Sequence, residues 1–138
     1  MVANLTRDAH GFRRGSLLIA EQEDSLRDEL DSLFCSEGYE THVAADDDEA
    51  VEIVRHEVID VVILSLELPR AGGLGLLRTI RIVRGARVPC VLTATEVSGR
   101  LQVDALLEDV FTVVPKPPND SLLKRVVERA LRRCRLFG

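Results

Sequence analysis

Four residues in this chain have types and positions that could work together: Glu21, Ser65, Thr93 and Lys116. Each ends or directly follows a short aliphatic run, so a fold that aligns those runs brings one acidic loop, two hydroxyls and one ammonium to a single crevice. The chemistry open to them is narrow. A serine hydroxyl has a high pKa and attacks only beside a base, and no histidine stands near Ser65 in sequence. A hard cation such as Mg²⁺ wants several anionic oxygens, whereas Glu21 is followed by the neutral Gln22. Glu23 and Asp24 come next and are expected to face the loop surface or cap a helix. A lysine left unpaired in a partly buried crevice is costly. Glu21 is therefore the expected counter-ion of Lys116, directly or through one water, with the Ser65 and Thr93 hydroxyls nearby. Neighbouring parallel strands lie about 4.8 Å apart, which makes the contact reachable. Such a pair is worth on the order of 1 kcal/mol if solvent reaches it.

The runs that must position these groups are Ser16–Ala20, Thr41–Ala44, Val58–Leu64, Val88–Thr93 and Val110–Val114. Val61, Val62, Ile63 and Leu64 are apolar at every position, the pattern of a strand buried on both faces. Helical patterns lie between the runs. Leu26, Leu30, Leu33 and Phe34 recur at helical spacing after Asp24-Ser25, a candidate N-cap, and Gly38 is a natural stop. Ala50, Val51, Ile53 and Val54 follow an acidic first turn, residues 46–49, that suits a helix N-terminus. Leu74, Leu77 and Ile80 mark a third helix. Leu101 and Ala105, with Leu106 a further candidate, mark a fourth. Asn119 or Asp120 caps a fifth, with Leu123, Val127, Ala130, Leu131 and Cys134 on one face. Five strands alternating with five helices predict an α/β, doubly wound parallel sheet with right-handed crossovers. Its ligand site is expected at the carboxyl ends of the strands, near the topological switch point. Residues 1–15 show no periodicity and are expected to form a flexible tail, leaving 16–138 as one domain.

Composition bounds the function classes. Hydrophobic residues make up 46% of the 138 and charged residues 30%, a balance that excludes disorder. No run of about 18 apolar residues predicts a membrane span, and the charged N-terminus does not resemble a signal peptide, so a cytoplasmic location is expected. Cys35, Cys90 and Cys134 are odd in number and form no CxxC pair, which argues against a disulfide framework or a zinc site. Cys90 and Cys134 read as small buried hydrophobes. The net charge of −5 conceals an acidic body between a basic N-terminus and a basic last helix. An acidic body does not attract a phosphate backbone, so no nucleic-acid partner is expected of this domain. P-loop and GxGxxG patterns are absent.

The order and spacing of several segments resemble the receiver domain of two-component response regulators. They are Gly38-Tyr39-Glu40, residues 60–69 running from Asp60 through Ser65 to Pro69 with Gly73 beyond, Leu92-Thr93-Ala94, and Lys116-Pro117. The likeness runs from Ser16 to Leu136. It implies a flavodoxin-like sheet in the order 2-1-3-4-5. It also implies a phosphorylation pocket in which an acidic pair and an acceptor aspartate bind Mg²⁺, while a threonine and a lysine meet the phosphoryl oxygens. Carried over, the acidic pair falls on Glu21 and Gln22, the acceptor on Ser65, the threonine on Thr93 and the lysine on Lys116. The aromatic switch position falls on Val113. The usual three carboxylates are cut to one, Glu21. A hydroxyl cannot form an acyl phosphate, and Val113 has neither ring nor hydroxyl to swing toward Thr93.

The expectation is thus a degenerate receiver that is not an enzyme, with no catalytic residue, metal or cofactor. It would act through a protein partner (a kinase, an output domain or a second copy) without aspartyl phosphorylation. The resemblance implies a contact face made by the fourth helix, fifth strand and fifth helix, carrying Arg100, Lys124, Arg125, Arg129 and Arg132. A homodimer through that face is compatible with this reading. An alternative is the N-terminal receiver segment of a longer transcriptional regulator or hybrid kinase. A flavodoxin-like FMN carrier is disfavoured: its phosphate loop would be Glu21-Gln22-Glu23-Asp24, and the chain has one Tyr and no Trp to flank the ring.

Overall fold

A computed structural model describes residues 14–85 and 87–137, with side chains as far as Arg133. The elements run β1 (Ser16–Ala20), α1 (Asp24–Ser36), β2 (Glu40–Ala44), α2 (Asp47–His56), β3 (Val61–Ser65), α3 (Gly72–Arg84), β4 (Cys90–Ala94), α4 (Gly99–Leu107), β5 (Thr112–Pro115) and α5 (Asp120–Phe137). All strand pairs are parallel, in the order β2-β1-β3-β4-β5.

β3 and β4 are buried at every residue, as unbroken apolar runs require, while the edge strands β2 and β5 are only partly covered. Alternation along the strands splits the core in two. Leu18, Val62, Leu64 and Leu92 pack with Ala50, Val54, Leu77 and Ile80. On the other side Leu17, Ile19, Ile63 and Val91 pack with Phe34, Leu123, Val127 and Leu131. Cys90 lies fully inside, and burial pushes its thiol up to about 12, so it is inert packing. Cys35 is only half-buried, with its Sγ 3.1 Å from Thr41 Oγ1. The side chain of Cys134 lies outside the described residues.

Several boundaries differ from the expected ones. β3 starts at Val61, not Val58, because Val58 is 68% exposed and Glu57 still closes α2, its backbone N–H reaching Ile53 O at 2.8 Å. β4 begins at Cys90 rather than Val88, and β5 at Thr112 rather than Val110, whose N–H is spent on Ala105 O at the end of α4. β2 gains Glu40. The N-cap of α1 is Glu23, with no side-chain cap, so Asp24 and Ser25 sit inside the helix. Asn119 caps α5 through a 2.9 Å bond from Leu122 N–H, and Ser98 caps α4. Leu101 and Ala105 are buried, but Leu106 is 77% exposed and does not join the core. Of the expected tail, residues 1–13 lie outside the described residues. Arg14 and Gly15 already extend the sheet, with Arg14 N–H on Gly38 O and Gly15 O accepting from Glu40 N–H.

One close approach sets the carboxyl end of β3. A Cβ on Gly73 would lie 2.5 Å from Ser65 O and 2.8 Å from Leu92 Cδ1, so only glycine lets α3 start against the strand end. Gly99, by contrast, has nothing within 4 Å of such a Cβ. Gly73→Ala should therefore cost about 1–3 kcal/mol in urea unfolding, whereas Gly99→Ala should be neutral or stabilising by up to about 1 kcal/mol. Equal effects at the two glycines would contradict the close packing of α3 on β3.

Candidate functional site

The sheet order reverses between β1 and β3, and the crevice at their carboxyl ends is where the polar groups collect. Glu21 continues the β1 ladder, its N–H bonding Ala44 O at 3.0 Å, and is 1% exposed. Its Oε2 accepts the Glu23 N–H at 3.0 Å, and Arg27 Nη1 donates to its carbonyl at 3.0 Å. Ser65 ends β3 fully buried, and Lys116 continues β5 with its N–H on Ala94 O at 2.9 Å.

The lysine side chain crosses over β4 to reach them. Its Nζ donates to Ser65 Oγ at 2.7 Å and lies 2.9 Å from Glu21 Oε1. This contact is an ion pair, since Glu21 Oε1 accepts no well-directed hydrogen bond. A second carboxylate, unforeseen in the sequence, completes the group. Glu67 Oε1 lies 2.9 Å from Lys116 Nζ, and Glu67 Oε2 accepts the Thr95 backbone N–H at 3.0 Å. The Glu67 N–H donates in turn to Ser65 Oγ at 3.2 Å. Three oxygens thus surround one ammonium that is 11% exposed.

The expected Glu21–Lys116 pair is direct, but it does not arise from strand adjacency: β3 and β4 lie between β1 and β5, and the length of the lysine closes the gap. The site also holds two carboxylates, not one. Gln22 is exposed and has no hydrogen bond to the cluster. Thr93 is buried opposite Ser65 in register, yet its hydroxyl makes only a long 3.5 Å bond to Leu64 O; the backbone of Thr95 takes the polar role instead. Val113 lies apart from the cluster, half-buried beside Val97, Gln102, Ala105 and Leu106 around a hollow of about 280 Å³. A glutamate two residues past a strand reads as solvent-facing loop. Its one sequence signal was its nearness to Ser65. Among the described residues, the group of three metal-ligating side chains with donor atoms within 4.8 Å is Glu40, His42 and Glu57, outside this cluster.

Chemically the cluster is a salt-bridged plug. The ammonium sits between the carboxylates, and the Ser65 hydroxyl accepts from Lys116 and makes a long 3.5 Å bond to Glu67 Oε1, a carboxylate oxygen already paired with Lys116. Burial is the largest influence on Glu67 and pushes its pKa up. Lys116 and the Thr95 N–H together outweigh it, so this carboxyl titrates below its ordinary 4.5. A depressed carboxylate stabilises the fold above its ordinary pKa and loses that contribution as pH falls through the folded value. Acid titration of stability should show this loss below about pH 4.5, and Glu67→Gln should remove that part of the pH dependence. Lys116→Met leaves a carboxylate buried without its cation and should cost about 3–5 kcal/mol. Glu21→Gln leaves Lys116 with Glu67 and Ser65 and should cost about 1 kcal/mol in the same urea assay. A Glu21→Gln chain more stable than its parent would mean that the two carboxylates chiefly repel each other.

Residues 17–128 match the family model described as the response regulator receiver domain. Regulatory protein AtoC of Escherichia coli is 30% identical over 116 residues, covering 84% of this chain and 25% of AtoC. The Regulator of RpoS of the same species is 39% identical over 105 residues, covering 75% of this chain and 31% of that protein. The chain spans about a quarter to a half of the length of the curated relatives it matches. The crystal structure of a CheY-like receiver domain protein from Methanospirillum hungatei superposes with a TM-score of 0.83 at 21% identity, covering 90% of this chain and 98% of that one. No helix among the described residues is long and apolar enough to cross a membrane. With the family match spanning most of the sequence and the 2-1-3-4-5 parallel sheet beneath it, the chain belongs to the receiver domain family of two-component response regulators.

Proposed function

We propose that this receiver domain is a signalling interaction module that works without aspartyl phosphorylation. The observation that carries the reading is Ser65: the residue ending β3, where the family's acceptor aspartate is expected, is a fully buried hydroxyl held by Lys116. A hydroxyl cannot form an acyl phosphate, and the carboxylate within its reach, Glu67 Oε1 at 3.5 Å, is already paired with Lys116. The pocket's cation is already neutralised by Glu21 and Glu67, which removes the electrostatic pull on an incoming phosphoryl group, and the same ion pairs engage the carboxylates that Mg²⁺ would need.

Receiver domains act on kinases and output domains, and the face proposed for such contact is α4–β5–α5. Val103, Leu106 and Leu107 of α4 are 56%, 77% and 76% exposed, an apolar stripe that a partner would cover. Arg100, Arg125, Arg129 and Arg132 are exposed and supply a basic surround. Lys124 does not belong to it, because its Nζ pairs with Glu37 Oε2 at 3.5 Å at the end of α1. A second reading, the receiver segment of a longer regulator, is favoured by the relatives, of which this chain matches only a part. The two readings are compatible, since an output domain carried in the same protein is also a partner for that face.

Incubation with acetyl phosphate and Mg²⁺ should leave the intact mass unchanged. A stoichiometric phosphoryl adduct would sink the proposal. An adduct on Ser65 that forms only with a protein kinase present would replace it with a serine switch.

A further inference from the structure

Among Glu21, Lys116 and Glu67, the last is the most open to solvent. Its side chain is 34% exposed, against 1% for Glu21 and 11% for Lys116. It comes from the loop between β3 and α3, yet both its oxygens reach other elements: Oε1 meets Lys116 beyond β5, with a long 3.5 Å bond from the Ser65 hydroxyl beside it, and Oε2 accepts from the backbone of Thr95 in the loop between β4 and α4. An ammonium and a backbone N–H converging on the two oxygens of one carboxylate have the donor arrangement of an oxyanion site. We infer that the Lys116 ammonium and the Thr95 N–H form an anion-binding site whose resident ligand is the chain's own Glu67, a tethered plug that excludes free oxyanions such as inorganic phosphate.

Charge and geometry support the assignment together. With Glu67 in place the cluster holds two carboxylates and one ammonium, a net negative crevice that repels an arriving anion. Without it, Lys116 and Glu21 cancel, the Thr95 N–H loses its acceptor, and the space next to both opens to solvent. The buried Glu21 is anchored by the Glu23 N–H and cannot swing over to substitute. Since Lys116 stays half-compensated by Glu21, the unplugged site should bind phosphate in the millimolar range.

The plug also has a mechanical consequence. It ties the loop before α3 to the loop before α4, and α4 carries the exposed leucines of the proposed contact face. Withdrawal of Glu67 would release the Thr95 end of the 95–98 segment. The inference rests on the reading of this crevice as one that takes no covalent phosphoryl group, but its test is separate from that of the reading. Intact mass reports a covalent adduct, whereas the measurements below report reversible binding and local opening.

The experiment is a titration of the full chain with inorganic phosphate, followed by backbone NMR, with hydrogen exchange measured at the Thr95 amide. The parent chain should show no saturable shift at Thr95. Glu67→Ala should show a saturable shift there, lost again when Lys116→Met is added, and its Thr95 amide should exchange at least about tenfold faster. Glu67→Gln, which keeps the shape but not the charge, should also admit phosphate, more weakly; it carries the test if the alanine variant does not fold. Saturation of the parent chain at Thr95 would overturn the plug. Failure of both Glu67 variants to bind phosphate would overturn the anion site, even with faster exchange, because Glu67 would then be no more than a loop clasp.

Discussion

One ammonium organises the carboxyl end of this sheet. Lys116 is nearly buried, and a charge in that position is tolerated only with counter-charge and hydrogen-bond acceptors at hand. Ser65, Glu21 and Glu67 supply them at 2.7 to 2.9 Å, each from a different strand end or loop. The demand therefore constrains more than the side chains. β1 must deliver Glu21 inward, β3 must end where α3 can begin, and the loop after β4 must come close enough for Thr95 to meet Glu67. Gly73 is part of the same requirement, since any larger residue would push α3 away from the carbonyl of Ser65.

The parallel order makes this convergence possible. All five strands point their carboxyl ends the same way, so residues 51 and 95 positions apart in sequence meet above the sheet. The core layers beneath are almost entirely aliphatic and supply stability without choosing any particular chemistry. Helix caps and ion pairs fix the periphery. Asp46 closes the first turn of α2, accepting the Glu49 N–H at 2.9 Å, and Arg14 meets Glu128 of α5. Arg14 and Lys124, which belong to two separate positive regions in sequence, share Glu37 just past the end of α1.

The fold was legible because burial leaves a direct mark on sequence. Val61 to Leu64 and Val91-Leu92 could hardly be anything but inner strands, and Leu30, Phe34, Val54 and Ile80 sit on the faces their spacing implied. Ends were less legible. Val58 and Val110 are as aliphatic as their neighbours, but their backbone groups lie outside the ladder, and hydrogen-bond partners are not written in local composition. Leu106 shows the same limit, since an apolar residue at helical spacing can lie on the outer face when that face meets nothing in the chain. In the site, Glu21, Ser65 and Lys116 were legible through their positions at strand ends. Glu67 was not, because its partners lie 28 and 49 residues away and its own surroundings read as an exposed loop.

The contrast between residues 65 and 67 carries the functional argument. A carboxylate at position 65 would be fixed at the end of an inner strand; the serine there is fully buried and makes a neutral contact with Lys116. The carboxylate at position 67 reaches the same ammonium from the mouth of the crevice. Two anionic groups still face one cation, so the local charge balance needs no phosphoryl group to complete it. What differs is that this anion belongs to the chain, is partly open to solvent, and holds a second loop through Thr95. An interaction module of this kind would be governed by how easily one glutamate leaves its donors, a noncovalent equilibrium of a few hydrogen bonds, and not by the making and hydrolysis of an acyl phosphate.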